Sequence, residues 1–517
     1  MSNKNFIGKE KELLSKFEST SNKTKVGFEK ESIRIEKGSI SKNSHPKKLG
    51  SPLCNNFITT DFSEAQLEIV TPPLENKKRA ITFLDNIHHF ISHNIDNETI
   101  WPFSMPNRIE TEDEIMIASY GKSNSAQFKE LYRKGLSQRY GKMMQAISGF
   151  HFNYSVSPSF WDDDYLESIH QGAKDKDSIS SFYLNMLRNI HRYNWVILYL
   201  FGASPVATKH FISGEDESFK KLDKDTIYLP HATSLRMSSY GYQNKRRKKL
   251  QVSLNSLNEY ISDLRKATST PHPDFSKPEF DQGRQINDCI LQIDDEYYAV
   301  ARAKSESNLD LRTTSKLMNG GIDFIELRSL DLNPFSKSGI DDQTIFFLEV
   351  FLAYCFIKQN ECFDEKEIKK IEHNDELVAT RGRKPGLKII RNDKEISLKD
   401  WGNMLIDELF PIAEILDTQD HEYSKAIKKA KEEINNPYEA LSNKFLDIVS
   451  SGGTTFIDYG LELSEKNKEH YLKIDKSENE HWEMLETMAK DSIKLKNEIE
   501  KSDSVSLESY IVNYFQQ

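Results

Sequence analysis

The 517-residue chain predicts an α+β fold with a mixed or antiparallel sheet, and three observations carry that expectation. Period-two runs lie scattered along the first two-thirds of the chain, separated by long excursions rather than by regular strand–helix alternation. That spacing disfavours a doubly wound parallel sheet, in which each strand is followed by a helical crossover. After residue 340 nearly every segment carries helical spacing. No self-similar period of roughly 20–50 residues appears, which sets aside solenoids and propellers.

Residues 4–20 place Phe6, Leu13, Leu14 and Phe17 at helical intervals and predict a short amphipathic helix. V-G-F-E-K-E-S-I-R-I-E then alternates with period two and predicts a strand. I-T-T-D-F-S-E-A-Q-L-E-I-V-T-P-P is a further extended run that stops at its Pro-Pro breaker. Ile81, Leu84, Ile87, His88, Ile91 and Ile95 restore helical spacing over residues 78–96. W-P-F-S-M-P at 101–106 is a proline-punctuated loop, and the mixed charges of 124–147 predict a helix. S-G-F-H-F-N-Y-S-V-S-P at 148–158 predicts a strand ended by proline, and the apolar stretch 178–200 a buried helix. From about 205 to 320 the chain is irregular, with strands expected at 286–293 and 296–302. G-G-I-D-F-I-E-L-R-S-L-D-L-N-P-F at 320–335 is another strand, closed by Asn-Pro, and the tail 464–517 is charged helix.

Hydrophobic residues make up 37% and charged residues 29%, against a typical charged share of about 25%, so an adequate core carries a strongly polar surface. Only 16 prolines and 22 glycines argue against a linker-rich or disordered chain. The net charge of −10 argues against a protein built globally for nucleic acid. The one dense basic run, K-R-R-K-K at 245–249, reads as a solvated loop. Cys54, Cys289, Cys355 and Cys362 form no C-x-x-C pair and no zinc spacing, so free, buried thiols are expected. Cys355 and Cys362 fall in a helical stretch and are expected on one face of it. The start M-S-N-K-N-F-I-G-K-E has no apolar signal region. The apolar stretches 195–207 and 344–357 fall short of the roughly 20 residues a membrane span needs, and the second contains Glu349. A cytoplasmic protein with no membrane partner is expected.

Four of the extended runs share an unusual property. Glu29 and Glu31 stand two apart and point to one side; Gln66 and Glu68 share a face, with Asp61 at the turn before them. His151, Asn153 and Ser155 share a face opposite Phe150, Phe152 and Tyr154. Glu326 and Arg328 share a face opposite Ile325 and Leu327. Alternation alone fits a half-buried sheet with its polar face in water. The residue types fit that poorly, because acidic side chains are depleted in strands and repel across a sheet face unless cations separate them. Hard divalent cations with oxygen ligands, Mg²⁺ above all and Mn²⁺ if His151 joins, suit such a face and bridge readily to phosphate. No Walker A motif or glycine-rich kinase loop is present, so a nucleotide would rest on metal-bound carboxylates and on arginines such as Arg133, Arg236 and Arg328.

These segments resemble the bacterial glutamate–cysteine ligases (γ-glutamylcysteine synthetases) of the γ-proteobacterial type. The resemblance is carried by G-F-E-K-E-S-I-R-I, L-G-S-P-L-C-N-N-F-I-T-T-D-F-S-E-A-Q-L-E-I-V-T-P, F-K-E-L-Y-R-K-G-L, Y-G-K-M-M-Q-A-I-S-G-F-H-F-N-Y-S, Y-L-P-H-A-T-S-L-R-M-S-S-Y-G-Y and I-E-L-R-S-L-D-L-N-P-F, in family order between about residues 25 and 390. The resemblance implies a glutamine-synthetase-like antiparallel β-sheet funnel with surrounding helices and a largely helical C-terminal third. Residues 1–390 would form the catalytic core, and 391–517 would pack on the same unit. It implies ATP-dependent joining of L-glutamate to L-cysteine, the first step of glutathione synthesis, by a monomer that uses Mg²⁺ or Mn²⁺. A related ligase with another amine acceptor stays open, as does a non-enzymatic anion- or nucleic-acid-binding protein using the basic run. By motif, Glu29, Asp61 and Glu68 resemble one group of metal ligands, and Glu31, His151 and Glu326 a second. Arg133 and Arg328 resemble the phosphate-side arginines, and Arg236 the residue that holds a substrate carboxylate. Tyr132, Leu136, Gln145, Tyr242 and Tyr298 resemble the pocket for the cysteine side chain.

Overall fold

The computed structural model describes residues 6, 8–20, 24–161, 176–212, 217–241, 250–277, 284–306 and 311–517. The chain opens with helix α1 (Lys9–Thr20) and strands β1 (Lys25–Glu36), β2 (Ser39–Ile40), β3 (Ile58–Thr60) and β4 (Gln66–Val70). Helix α2 (Lys77–Ser92), strand β5 (Thr99–Ile100), helices α3 (Asn124–Tyr140) and α4 (Lys142–Gln145), and strand β6 (Phe150–Ser155) follow. Next come helix α5 (Lys176–Phe201), strands β7 (Val206–Thr208), β8 (Lys220–Lys221) and β9 (Thr226–Tyr228), and helix α6 (Leu257–Ala267). Strand β10 (Ala301–Lys304), helix α7 (Thr313–Gly320), strand β11 (Phe324–Leu330), and helices α8 (Asp342–Ile357) and α9 (Glu365–Arg381) lead to a hairpin, β12 (Lys388–Arg391) and β13 (Lys394–Ser397). Helices α10 (Leu398–Leu416), α11 (Glu422–Asn435), α12 (Leu441–Ser450), α13 (Phe456–Leu472), α14 (Trp482–Ser502) and α15 (Leu507–Gln516) complete it.

The main sheet runs in the order β10-β11-β6-β1-β4-β3, every neighbouring pair antiparallel. Strands β2 and β5 pair with the far end of β1. The sheet is open, with β10 and β3 as its edges. Strands far apart in the chain, such as β1 with β6 and β6 with β11, pair antiparallel, which is the α+β arrangement expected from the scattered extended runs.

One sheet face is apolar. Phe28 meets Phe150 and Phe152 with ring centroids 5.6 Å apart in each pair, and Leu327 and Ile325 continue the same surface. Helix α5 lies against β10 and β11, and α8 packs on α5. Helix α8 is buried from Thr344 to Ile357, as an all-round apolar helix must be. Its one acidic residue in that stretch, Glu349, is fully buried and satisfied. Lys77 lies 2.8 Å from Oε1, the Thr24 hydroxyl donates at 2.5 Å, and the Tyr423 hydroxyl donates to Oε2 at 2.7 Å.

Local chemistry sets the element ends. The Asn76, Ser123, Asp341 and Asp364 side chains accept from the first turns of α2, α3, α8 and α9. The stretch expected as one helix over 124–147 is two, because Gly141 takes φ +82° between α3 and α4.

Other expectations are corrected. The strand expected at 286–293 is a run of turns with a single bridge, Pro271 to Cys289. Its polar side chains compete for the backbone: Asn287 Oδ1 accepts from Cys289 N, Gln292 Oε1 from Ile286 N, and Glu296 Oε2 from Gln292 N. The strand expected at 296–302 begins only at Ala301, after a 3₁₀ turn over Asp294–Glu296, and extends to Lys304. The hairpin β12–β13 interrupts the helical C-terminal region. Cys289 and Cys355 are buried free thiols, but Cys54 is only half-buried and Cys362 is exposed. Cys362 lies beyond the end of α8 at Ile357, so it shares no helix face with Cys355. Among the described residues, no helix is long and apolar enough to cross a membrane.

The C-terminal helices grip the earlier elements. Tyr471 donates to Asp85 at 2.9 Å, Asn479 Nδ2 to Asn86 O at 2.9 Å, and the Phe456 ring stacks on Phe103 at 5.3 Å. We propose that 1–390 and 391–517 unfold as one unit. Glu349→Ala leaves the Lys77 ammonium buried without its carboxylate, and removes a tie between α2, α8 and α11. It is expected to cost about 3–5 kcal/mol in a single cooperative urea transition; two separated transitions would contradict the single unit.

Candidate functional site

The other face of the main sheet is polar and is buried rather than wet. Glu31 is 4% exposed, His151 3% and Glu326 1%, which excludes a sheet face turned to solvent. The register sets the side chains side by side. Glu29 lies opposite His151, Asn153 opposite Glu326, Glu326 opposite Arg302, and Glu31 opposite Glu68. Because each pair is directly cross-strand, one surface collects residues from β10, β11, β6, β1 and β4.

His151 is the hub. Its Nδ1 stands 3.2 Å from Glu29 Oε2 and 3.6 Å from Glu326 Oε1, and its Nε2 3.5 Å from Glu31 Oε1. Asn153 Nδ2 donates to Glu29 Oε1 at 2.9 Å, and the Gly149 amide to Glu31 Oε2 at 2.8 Å. One ligand atom each from Glu29, His151 and Glu326 lies within 4.8 Å of the others, a spacing a single cation could span. Glu326 Oε2 is buried with no hydrogen-bond partner. An orphaned carboxylate oxygen beside an imidazole and a second carboxylate fits a hard divalent cation.

Charge is balanced unevenly. Two carboxylates at such separations repel by roughly 3–4 kcal/mol at an effective dielectric near 20. Around Glu326 the protein answers with its own cations. Arg328 Nη1 is 3.1 Å and Lys304 Nζ 3.6 Å from Oε1. Burial pushes the Glu326 carboxyl up, but Lys304, Arg328, His151 and Arg302 together hold it well below the usual range. Burial likewise opposes the charge on Arg328, and Glu326 more than restores it. Glu29 is held low: burial and Glu326 push it up, while the His151 hydrogen bond, Lys304 and the His151 charge outweigh them. On the β4 side matters reverse. Burial, then Asp61, Glu29 and Glu31, push Glu68 well above the usual carboxylate range, with Arg133 opposing. Burial also raises Glu31, helped by Asp61, against His151, Arg236 and Arg328. The uncompensated negative charge thus lies between β1 and β4.

The arginines hold three stations. Arg133, on α3, donates to the Asp61 carbonyl and lies over the Tyr120 ring at 4.7 Å. Arg328, on β11 where the register with β6 shifts, lies over the Tyr298 ring at 5.5 Å. Arg236 is 1% exposed, donates to the Arg328 carbonyl at 2.8 Å, and has Nη1 3.8 Å from Asp331 Oδ1. Gly149 makes room for it: a Cβ there would stand 2.0 Å from Arg236 Nη2.

The structure therefore brings Glu29, Glu31, His151, Glu326, Arg328 and, through its backbone contact, Arg236 together. Asp61 and Glu68 lie at the β3–β4 side of the same face, and Glu29 bridges the two groups. Tyr132 and Leu136 share α3 with Arg133, and Gln145 ends α4. Tyr298 stands beyond Arg328 at the opposite side. Tyr242 and the basic run 245–249 lie outside the described residues. Sequence reasoning missed Lys304 and Arg302. Arg302 already ended the strand expected at 296–302, and carrying the A-R-A-K alternation two residues further would have placed Lys304 on the same face.

A model of the glutamate–cysteine ligase family matches residues 12–378. Over nearly full length the chain is similar to glutamate–cysteine ligases. It is 36% identical over 501 residues to that of Alcanivorax borkumensis, covering 95% of each chain. It is 38% identical over 507 residues to that of Pseudoalteromonas translucida, covering 96% of this chain and 95% of that one. The crystal structure of the Francisella tularensis glutamate–cysteine ligase in complex with AMP superposes with a TM-score of 0.89 at 32% identity, covering 96% of this chain and 98% of that one.

Without metal, Glu31 and Glu68 carry folded-state pKa values above those of the unfolded chain. The stability they contribute is full below the unfolded values and is lost as pH rises through the folded ones. A divalent cation displaces those protons and opposes the loss. Mn²⁺ near 100 Kd is therefore expected to stabilise the protein by on the order of 2–3 kcal/mol, and at a fixed concentration to raise the melting temperature more as pH rises. Glu326→Ala should remove the shift; a pH-independent or unaltered shift in fluorimetric melting would place the cation elsewhere.

Proposed function

The chain belongs to the glutamate–cysteine ligase family, and from that premise we propose that it joins the γ-carboxylate of L-glutamate to the α-amine of L-cysteine at the expense of ATP. The product is γ-glutamylcysteine, with ADP and phosphate, the opening step of glutathione synthesis. The observation that supports this reading most is the buried carboxylate–imidazole face with Arg328 and Lys304 against it.

Group chemistry sets what the site must do. A carboxylate does not condense with an amine at neutral pH, because oxide is a poor leaving group. The γ-carboxylate oxygen attacks the γ-phosphorus of ATP, the bond to ADP breaks, and an acyl phosphate forms. The amine of cysteine then attacks the acyl carbon, its proton leaves to solvent or base, and phosphate departs as the C–N bond closes. No covalent nucleophile from the protein is required.

Residues of this chain have corresponding tasks. Glu29, Glu31, Asp61, Glu68, His151 and Glu326 would hold Mg²⁺ or Mn²⁺. Such a cation supplies Lewis-acid neutralisation of phosphate oxygens. Arg328, kept charged by Glu326, presents a guanidinium where charge builds during phosphoryl transfer, and Arg133 does so from the Asp61 side. Arg236 is fixed by the Arg328 carbonyl, and its planar fork suits the substrate's carboxylate. Tyr132, Leu136, Gln145, Tyr242 and Tyr298 are assigned to the cysteine side chain. We propose that the chain acts as a monomer. We propose, as the ligase reading implies, that it works in the cytoplasm.

Purified protein with Mg²⁺, ATP and glutamate is expected to release phosphate far faster once cysteine is added. Equal turnover with every amino acid tried would reject cysteine as the acceptor. Glu326→Ala and Glu31→Gln are each expected to lower turnover by roughly 10³-fold or more, the near-isosteric Glu31→Gln with little change in melting temperature; retained activity in both would reject the assigned cation site.

A further inference from the structure

The segment that carries Arg236 is held by its backbone. The Thr233 and Ser234 amides donate to the Ala379 carbonyl near the end of α9, at 2.9 and 3.1 Å, and the Thr233 hydroxyl donates to Val378 O at 3.0 Å. The Leu235 amide donates to Ser204 O at 2.8 Å, and the Arg236 amide to the Ser204 hydroxyl at 3.3 Å. These bonds fix the Arg236 main chain and leave the direction of its guanidinium to other groups. On one side Nη2 donates to the Arg328 carbonyl at 2.8 Å. On the other, Nη1 meets Met237 Sδ at 3.1 Å and Asp331 Oδ1 at 3.8 Å. Asp331 follows the end of β11 at Leu330 and is 4% exposed. Its Oδ2 accepts from the Ala203 amide at 2.8 Å and from the Ser204 hydroxyl at 2.6 Å, and its Oδ1 accepts from the Ser234 hydroxyl at 3.0 Å. Burial pushes the Asp331 carboxyl up, and Arg236 is the strongest influence against it. An uncharged amide of the same shape could serve the Ala203 amide and both serines, since a hydroxyl both donates and accepts. Only a carboxylate can present negative charge to Arg236.

We propose that Asp331 is a positioning residue for glutamate binding: its charge, set against Nη1, aims the Arg236 guanidinium at the substrate's carboxylate. The inference rests on the ligase reading above, in which Arg236 takes that carboxylate. Asp331 touches no substrate and acts through Arg236. A planar fork recognises a carboxylate only when its direction is held, and a displacement of about 1 Å costs a large factor in productive binding.

The test variant is Asp331→Asn in the full-length protein. The Ala203 amide can only donate, so the new side chain must turn its oxygen there, and its NH₂ takes the place of Oδ1. The Ser234 hydroxyl can accept from that NH₂, so the local hydrogen bonds survive while Arg236 faces a donor instead of a charge. The glutamate KM is expected to rise about tenfold, while the ATP and cysteine KM values and the kcat at saturating glutamate stay within about threefold. Ser234→Ala removes a hydrogen bond to the same carboxylate oxygen but keeps the charge, and its glutamate KM should stay within about twofold of the parent. An unchanged glutamate KM in Asp331→Asn overturns the proposal, because it marks a scaffold role that the amide fills. So does an equal rise in Ser234→Ala, or a uniform loss in kcat and all three KM values with a large fall in melting temperature. A crystal structure of Asp331→Asn gives an arm independent of turnover. An Arg236 guanidinium displaced from the Arg328 carbonyl supports the proposal even if the parent protein proves inactive with cysteine, an outcome that would sink the ligase reading alone. A guanidinium in its parental place overturns it.

Discussion

The structure depends on keeping carboxylates ionisable inside a sheet. Glu29, Glu31, Glu68 and Glu326 share one face with His151; Glu31, His151 and Glu326 are buried there, and Glu29 and Glu68 are half-buried. An isolated buried charge takes up or loses a proton rather than remain unpaired. A strand face can hold several such groups only with fixed cations nearby, or with mobile ones that come and go. The protein uses both. Lys304 and Arg328 hold Glu326 ionised at the β10–β11 side, while the β4 side is left to protons or to a divalent ion.

The rest of the fold serves that arrangement. Six strands put the acidic groups at cross-strand distance without relying on loops, which fixes them better than loops could. The apolar face of the same strands meets α5, and α8 packs behind it. The Lys77–Glu349 pair shows the alternative treatment of a buried charge. It is closed off by Thr24 and Tyr423 and has a structural role, whereas the Glu326 oxygen on the polar face is left with an open valence.

Much of this was legible in the sequence because alternation is a strong signal wherever one face is apolar. Phe150, Phe152 and Tyr154 against His151, Asn153 and Ser155 gave the strand and its polar side at once. The resemblance supplied what alternation could not, which is that strands so far apart in the chain face the same site. Reading failed where side chains took over the backbone's hydrogen bonds. Residues 286–293 look like a strand by composition, yet Asn287, Gln292 and Glu296 side chains take the amides of Cys289, Ile286 and Gln292, and no continuous ladder forms. It also failed where burial alone distinguishes two cases. Nothing in the residue pattern says that the acidic face is dry. That follows only from the helices and loops that cover it, as does the closeness of Arg236 to Gly149.

The sheet order has a consequence for how the protein comes into being. The middle strand, β1, is made early, and its neighbour's neighbour, β11, is made roughly 300 residues later. At about 5–20 residues per second, a ribosome needs some 15–60 s to cover that interval. Throughout it, Glu29 and Glu31 have been synthesised but the strand bearing Glu326 has not, and from the time β6 is made its outer edge stays unpaired. Pairings of such long reach are slow to form even in the finished chain. The nascent polypeptide therefore passes through a period in which acidic, edge-exposed strands must stay soluble without the partners that later neutralise them.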